Sequence, residues 1–152
     1  RNYLFEPYFR RQKYMNKISG PLLDRIDIQI EIVPVPFEKI SIQTPSEPSA
    51  HVRERVIKAR AIQEERFKAH PGIYCNAQME TKQLHQYAIP DAAGMQLLKQ
   101  AMTRLSLSAR AYDRILKVSR TIADLDGAEK IETPHLAEAI HYRNLDREGW
   151  GT

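Results

Sequence analysis

A row of three cations on one predicted helix is the part of this sequence best suited to chemistry. Arg110, Arg114 and Lys117 are spaced by four and three residues, which places them along one line of an α-helix. Arg110 falls in the first turn, where the helix dipole disfavours a cation. A cation there indicates a partner anion, and phosphate is the first candidate. The alternative is a solvated basic face in which Asp113 and Lys117 form an i, i+4 ion pair.

The sequence motifs of other familiar sites are missing. The five histidines form no HxxxH or HExxH pair, and the single cysteine, Cys75, has no CxxC neighbour, so we expect no metal site. A GxSxG elbow is absent, although Ser-His-Asp chemistry on another framework stays open. Neither a GxxxxGK[ST] loop nor a GxGxxG turn is present. This chain is therefore not expected to hold a triphosphate by itself.

The helix that carries the three cations is predicted from an apolar heptad. Its apolar side chains recur at alternating steps of four and three residues: Ala111, Ile115, Val118, Ile122 and Leu125. This spacing puts them on one helical face. Ser108 is a suitable N-cap, and Gly127 stands where the helix should end. We therefore predict a helix from Ala109 to Asp126.

A proline-rich stretch divides the chain into two unequal parts. Before it, residues 1–34 end in a strict alternation of apolar and polar residues, which is typical of a half-buried β-strand. The apolar positions are Ile26, Ile28, Ile30 and Ile32. One strand cannot form a sheet, so we expect its partner strands in sequence outside this chain. Residues 35–49, with several prolines among serine and threonine, are predicted to be a linker.

Helical patterns fill residues 50–147, and residues 148–152 form a polar tail. The first helix is predicted from Ala50 to about Ala69, with Ser49 as its N-cap. Its buried side is expected to carry Val52, Val56, Ala59, Ile62 or Gln63, and Phe67.

Three further helices complete the prediction. One runs from Met79 to Tyr87, one starts near Pro90, and the last has Thr133 as its N-cap and Pro134 as its first helical residue. The predicted fold class is all-α: a small helical bundle with one orphaned N-terminal β-strand.

Composition narrows the class of protein. Of the 152 residues 42% are hydrophobic and 28% charged, with a mean hydropathy of −0.53, which predicts a soluble protein. No run approaches the roughly 18 apolar residues of a membrane span, so we expect no membrane partner. A lone cysteine and no visible leader favour a cytoplasmic location. The net charge of +4 and pI near 9.2 permit an anionic partner without identifying one.

Four stretches of the chain carry a resemblance to a known family. They are ISGPLLDRIDIQIEI, SAHVRERVIKARAIQEERF, NAQM and LSLSARAYDRILKVSRTIADLDGAEKIETPHLAEAIHYR. Together they resemble the C-terminal region of magnesium-chelatase-like AAA+ ATPases, in particular the ComM (YifB) branch of bacteria. The resemblance covers residues 16 to about 147. Residues 1–15 do not resemble the cysteine-rich segment expected there; they are either foreign to the natural protein or a divergent insertion.

The resemblance implies roles for two arginines. Arg25, in PLLDRID, is similar to the arginine finger that reaches the ATP of the neighbouring subunit, which would make it catalytic in trans. The local alternative is a salt bridge of Arg25 with Asp24 or Asp27. Arg110 resembles the sensor 2 arginine of the lid domain, which binds the γ-phosphate. The phosphate loop, the Mg²⁺-binding acidic motif and sensor 1 are absent from this sequence, so ATP and Mg²⁺ are expected only in a full-length parent.

The resemblance therefore implies that residues 50–147 are an AAA+ lid and residues 1–34 the end of the AAA+ core. The parent is expected to be a hexamer that couples ATP hydrolysis to DNA translocation or branch migration, with this part inactive alone. One alternative is the lid of a metal-chelatase motor that remodels a partner. The other is a free-standing helical adaptor that binds nucleic acid or protein without ATP.

Overall fold

Helices make up all the regular structure in the described part of the chain. The computed structural model describes residues 17–30, 32, 34–37 and 46–143. Its α-helices are α1 (Gly20–Leu23), α2 (Ser49–Phe67), α3 (Thr81–Tyr87), α4 (Ala92–Arg104), α5 (Ala109–Asp126) and α6 (Thr133–His141), with a 3₁₀ turn at Asn76–Gln78. The predicted all-α class is confirmed.

Helix α5 lies at the centre of the bundle. It packs against α2, the 3₁₀ turn, α3 and α6, and α6 also packs against α4. The core between these elements includes the fully buried side chains of Leu98, Ile115, Leu116 and Leu136. Burial of each such side chain contributes about 1.5–3 kcal/mol relative to an exposed one. The helix predicted to carry the candidate site is therefore also the one around which the domain is built.

The predicted strand at Ile26–Ile32 does not form in the described residues of that segment. Residues 26–30 and Ile32 have no regular secondary structure. A strand requires a ladder of hydrogen bonds with a neighbour, and the described residues contain no second strand. Instead, the backbone N–H of Gln29 donates a hydrogen bond to the Tyr142 carbonyl at 3.0 Å. Gln29 is buried and the alternate isoleucines are exposed, which is the reverse of the predicted burial.

The two ends of α5 are as predicted. The Ser108 hydroxyl oxygen accepts a hydrogen bond from the Ala111 amide at 3.2 Å, as an N-cap should. Gly127 follows the helix with φ of 72°, a left-handed conformation that glycine adopts without a steric penalty.

The predicted caps of two other helices are wrong by one position. Pro48, which has no capping side chain, precedes α2, and Ser49 is already helical. Glu132 caps α6 in place of Thr133: its side chain accepts from the backbone, and the His135 ring accepts from the Glu132 amide at 3.0 Å. This reciprocal capping box satisfies two amides at the start of the helix, whereas Thr133 would satisfy one.

The buried faces of α2 and α5 differ in part from the predicted ones. In α2, Ala59, Gln63 and Phe67 are buried as expected, but Val52 and Val56 are exposed. The described residues place no core element over the first half of α2. In α5 the most buried side is rotated by about one residue toward Leu116, Ser119, Arg120, Ala123 and Asp124. Leu125, predicted to be buried, is exposed.

Candidate functional site at the N-terminal end of α5

Arg110 is an exposed cation in the first turn of α5. Within the described part of the chain it forms no ion pair. The turn before the helix is tightly constrained: the Leu107 amide donates to the Met102 carbonyl at 3.0 Å, and Ser106 has a left-handed φ of 49°. Serine in this region is unusual, because its Cβ crowds the backbone. The start of α5 is therefore held by strained but hydrogen-bonded backbone.

The three cations of α5 do not form a common basic face. The Arg114 guanidinium forms an ion pair with the Asp27 carboxylate, and the Lys117 ammonium donates to the Ala77 carbonyl at 2.9 Å. The ion pair of Asp113 with Lys117, which was the alternative interpretation of this row, is not formed. Arg114 and Lys117 connect α5 to other segments, and Arg110 is the member of the row with no partner among the described residues.

The anion expected near the start of α5 is provided in part by the chain itself. The Ser108 hydroxyl donates to a carboxylate oxygen of Asp24 at 2.6 Å, across 84 positions of sequence. The other Asp24 oxygen lies 3.4 Å from the Arg143 guanidinium. A carboxylate near a helix N-terminus is favourable for the helix dipole. Asp24 thus offsets some of the electrostatic cost that Arg110 adds.

Arg25 is exposed, and its guanidinium donates to the Pro21 carbonyl at 2.8 Å. The predicted alternative, a salt bridge with Asp24 or Asp27, is not formed. Both carboxylates bind residues of the helical bundle or its end instead: Ser108 and Arg143 contact Asp24, and Arg114 contacts Asp27.

The two predicted site residues lie at the same end of α5. Arg25 follows Asp24 directly, and Arg110 comes two residues after Ser108. The hydrogen bond between Ser108 and Asp24 therefore brings the segments that carry the two arginines together. Neither arginine has a carboxylate partner among the described residues. Two exposed cations beside a helix N-terminus can accept an anion from outside the chain.

A second cluster of charged residues, near the other end of α5, was not predicted. Asp124 is fully buried and binds two guanidinium groups, from Arg66 of α2 and from Arg120 one turn earlier in α5. The buried Asn76 side chain joins them: its amide donates to Asp124 at 2.7 Å, and its oxygen accepts from Arg66 at 2.8 Å. We call Arg66, Asn76, Arg120 and Asp124 the buried network.

Arg120 also donates hydrogen bonds to two backbone carbonyls. These are the carbonyls of Ala128 at 2.6 Å and Glu129 at 2.8 Å. Burial lowers the pKa of the Arg120 guanidinium below its ordinary value, and the Asp124 carboxylate partly offsets that effect. The network ties α2, the 3₁₀ turn and α5 together. Its local signal in the sequence was the i, i+4 spacing of Arg120 and Asp124.

No metal site or membrane span was found in the part of the chain that the structure describes. Its His, Cys, Asp and Glu side chains form no group of three or more that could hold a metal ion. Within the same residues, no helix combines the length and the apolar character that crossing a bilayer requires.

Comparisons with known proteins cover nearly the whole chain. Residues 46–143 match the family described as magnesium chelatase, subunit ChlI C-terminal, and residues 6–40 match magnesium chelatase, subunit ChlI. The second match starts inside residues 1–15, which were expected to have no counterpart in the family.

Curated relatives show similarity over the same range. The chain is 44% identical over 136 residues to competence protein ComM of Haemophilus influenzae, which is 89% of this chain and 26% of that protein. It is 41% identical to the uncharacterized protein YifB of Salmonella typhimurium and 40% identical to that of Escherichia coli, each over 137 residues with the same two shares. The chain therefore spans about a quarter of the length of these relatives.

Proposed function

This chain belongs to the family described as magnesium chelatase, subunit ChlI C-terminal, and is related to ComM and YifB. We therefore propose that it is the lid region of a AAA+ ATPase. In this proposal the parent protein is a hexamer that binds ATP and Mg²⁺. Residues 50–147 form the lid, which couples the nucleotide state to DNA translocation or branch migration. Residues before the linker belong to the end of the ATPase core.

The observation that carries the proposal is a pair of exposed arginines near the N-terminal end of α5 that contact no carboxylate of the described residues. Arg66, Arg114 and Arg120 each contact a carboxylate of the described chain. Arg25 and Arg110 contact none there and are exposed. An arginine fork fits phosphate oxygens well and stays charged at any physiological pH. These two side chains are therefore available for a phosphate bound outside this chain.

The two arginines have different roles in the proposed reaction. Arg25 acts as an arginine finger that neutralises charge on the transferring phosphoryl group of the adjacent subunit, an effect worth about 10³- to 10⁵-fold in rate. Arg110 acts as sensor 2 and binds the γ-phosphate, so that loss of the phosphate changes the position of the lid. ATP and Mg²⁺ are bound mainly by parts of the parent that this chain lacks.

The first test uses this chain alone. Isothermal titration with Mg-ATP should show no saturable binding in the micromolar range, because two arginines without a phosphate loop make a poor triphosphate site. A micromolar dissociation constant would contradict the assignment of this chain as a lid that needs the core for nucleotide binding.

The second test uses the full-length protein that carries these residues. Arg25→Ala and Arg110→Ala should each reduce ATP turnover at least about 10³-fold, whereas Arg53→Ala, an exposed arginine of α2, should leave it near the wild-type rate. Mixing Arg25→Ala subunits with subunits inactivated in the phosphate loop should restore part of the activity, because an intact finger can then face an intact loop. Failure of demonstrated mixed hexamers to recover would argue against Arg25 acting in trans.

The third test concerns the DNA partner. The relative from Haemophilus influenzae is named as a competence protein, and we extend a DNA-linked role to this chain as part of the proposal. ATP turnover of the full-length protein should rise on addition of DNA, and purified protein should move a branched DNA substrate in an ATP-dependent manner. A rate of ATP turnover that does not change with any DNA substrate would favour the alternative, a motor that remodels a metal-chelatase partner.

A further inference from the structure

The aspartates on either side of Arg25 bind the start of α5, and we propose that this contact positions Arg25. We call Asp24, Asp27, Ser108 and Arg114 the α5 clamp. The clamp makes Arg25 move with the helical bundle, and Arg114 is a positioning residue for Arg25. This inference rests on the proposed function of Arg25 as the arginine finger, but the clamp itself can be tested without ATP.

The first half of the clamp is an extended helix cap. The Ser108 hydroxyl accepts from the Ala111 amide at 3.2 Å and donates to Asp24 at 2.6 Å. The carboxylate therefore continues the hydrogen-bond chain of the N-cap and lies where the helix dipole favours negative charge. Since Asp24 precedes Arg25 directly, this contact fixes the backbone on one side of Arg25.

The second half of the clamp is the ion pair of Asp27 and Arg114. The Asp27 side chain is 52% exposed and that of Arg114 28% exposed. Ion pairs with this exposure typically contribute little to stability, because water and salt screen the two charges. The pair therefore does little to keep the domain folded. Because Asp27 lies two residues after Arg25, the ion pair restrains the backbone on the C-terminal side of Arg25.

Further contacts at the end of α6 hold the same segment. The Arg143 guanidinium donates to the Ile26 carbonyl, and the Gln29 amide donates to the Tyr142 carbonyl at 3.0 Å. Contacts to α5 and to the residues after α6 thus extend from Asp24 to Gln29. A rotation of the bundle that preserves these contacts must carry Arg25 with it.

Hydrogen exchange on this chain tests the clamp directly. The backbone N–H of Gln29 reports whether the segment is docked on the bundle, because its hydrogen bond to the Tyr142 carbonyl forms only in the docked state. Asp27→Asn and Arg114→Gln should each increase the exchange rate of this N–H roughly 2- to 5-fold. This factor corresponds to the free energy that a half-exposed ion pair contributes. The combined exchange of charges, Asp27→Arg with Arg114→Asp, should return the rate toward wild type. Arg60→Gln, an exposed arginine of α2, is the matched control and should not change it.

Enzyme kinetics of the full-length protein test the positioning role. Arg114→Gln should lower kcat for ATP by about 2- to 5-fold, the same factor as for the exchange rate, with KM unchanged, and the charge exchange should recover kcat. Because the charge exchange would also restore a purely structural ion pair, the readout that separates the two roles is a lower kcat at unchanged KM, measured per folded protein.

The outcomes separate the clamp from the proposed function. Unchanged Gln29 exchange in both single variants would overturn the clamp. Faster exchange with unaltered kcat in Arg114→Gln, while Arg25→Ala is inactive, would overturn the positioning role. Full activity of Arg25→Ala would instead refute the arginine finger, and with it the positioning role, while the exchange result would still stand for the contact itself.

Discussion

The two ends of α5 use arginine in opposite ways. Near the C-terminal end, the Arg120 side chain is 3% exposed and binds Asp124 and two backbone carbonyls. At the N-terminal end, Arg110 is exposed and contacts no carboxylate of the described residues. The helix, the residue type and the solvent are the same. The difference is the supply of acceptors around each guanidinium.

This difference separates arginines that hold the fold from arginines that remain available to a ligand. A buried guanidinium without acceptors would cost several kcal/mol, so Arg120 and Arg66 are tolerated only with Asp124 between them. An exposed guanidinium is hydrated and pays no such cost. Arg110 can therefore remain without a carboxylate partner among the described residues, and an external anion can bind it without displacing an ion pair formed there.

The largest expected effect comes from removing the shared carboxylate of the buried network. Asp124→Ala leaves Arg66 and Arg120 near each other without a counter-charge, and we expect a loss of about 3–5 kcal/mol in the free energy of unfolding. Urea denaturation followed by circular dichroism measures it. Asp126→Ala is the matched control on the same helix: its side chain is 72% exposed and contacts His135 at 3.2 Å, so we expect under about 1 kcal/mol. Equal losses in the two variants would contradict the comparison.

The sequence predicted the two caps of α5 better than the burial of its charged residues. Ser108, Gly127 and the limits of the helix follow from local rules of capping and periodicity, which need no knowledge of the fold. The burial of Arg120 and Asp124 does not follow from these local rules, because a heptad pattern assigns charged residues to the surface. Their partners Arg66 and Asn76 lie 58 and 48 positions from Asp124, and a single sequence carries no signal for such pairs.

The same limit applies to the first half of α2 and to the segment around Arg25. The spacing of Val52 and Val56 predicts a buried face, but periodicity cannot tell which part of a long helix another element will cover. The contacts of Asp24 and Asp27 with α5 span more than 80 positions. Proximity in sequence favoured a salt bridge of Asp24 or Asp27 with Arg25. In the fold, both carboxylates bind side chains of α5 or its N-cap instead.

A smaller loss is expected from Asn76, which joins the 3₁₀ turn to the network. Its side chain is buried and contacts Arg66, Thr121 and Asp124. Asn76→Ala removes these bonds and leaves polar partners unsatisfied, which we expect to cost about 1–3 kcal/mol in unfolding free energy. Gln78→Ala, an exposed position of the same turn, should cost less. The reverse order in chemical denaturation would show that the network does not depend on Asn76.

Backbone strain offers a third comparison of the two ends of α5. Ser106, just before α5, and Gly127, just after it, both have left-handed φ values, of 49° and 72°. Ser106→Gly should stabilise the domain by about 0.5–1 kcal/mol, and Gly127→Ser should destabilise it by about 1 kcal/mol. A Cβ at Gly127 would meet no atom within 4 Å, so that loss would reflect the backbone alone. Thermal unfolding of both variants measures the two changes, and equal signs would contradict this explanation.

The smallest effect is expected for Arg110 itself. Arginine and alanine have similar helix propensities, so Arg110→Ala loses little on that account. Removal of a cation from the first turn relieves an unfavourable dipole interaction of about 0.3–1 kcal/mol, part of which the Asp24 carboxylate already offsets. We therefore expect the unfolding free energy to change by no more than about 0.5 kcal/mol, with any gain shrinking at high salt. Urea denaturation at low and high salt measures this, with Arg120→Ala as the buried counterpart on the same helix. A loss above about 1 kcal/mol would mean that Arg110 supports the fold, and the contrast between the two ends of α5 would then fail.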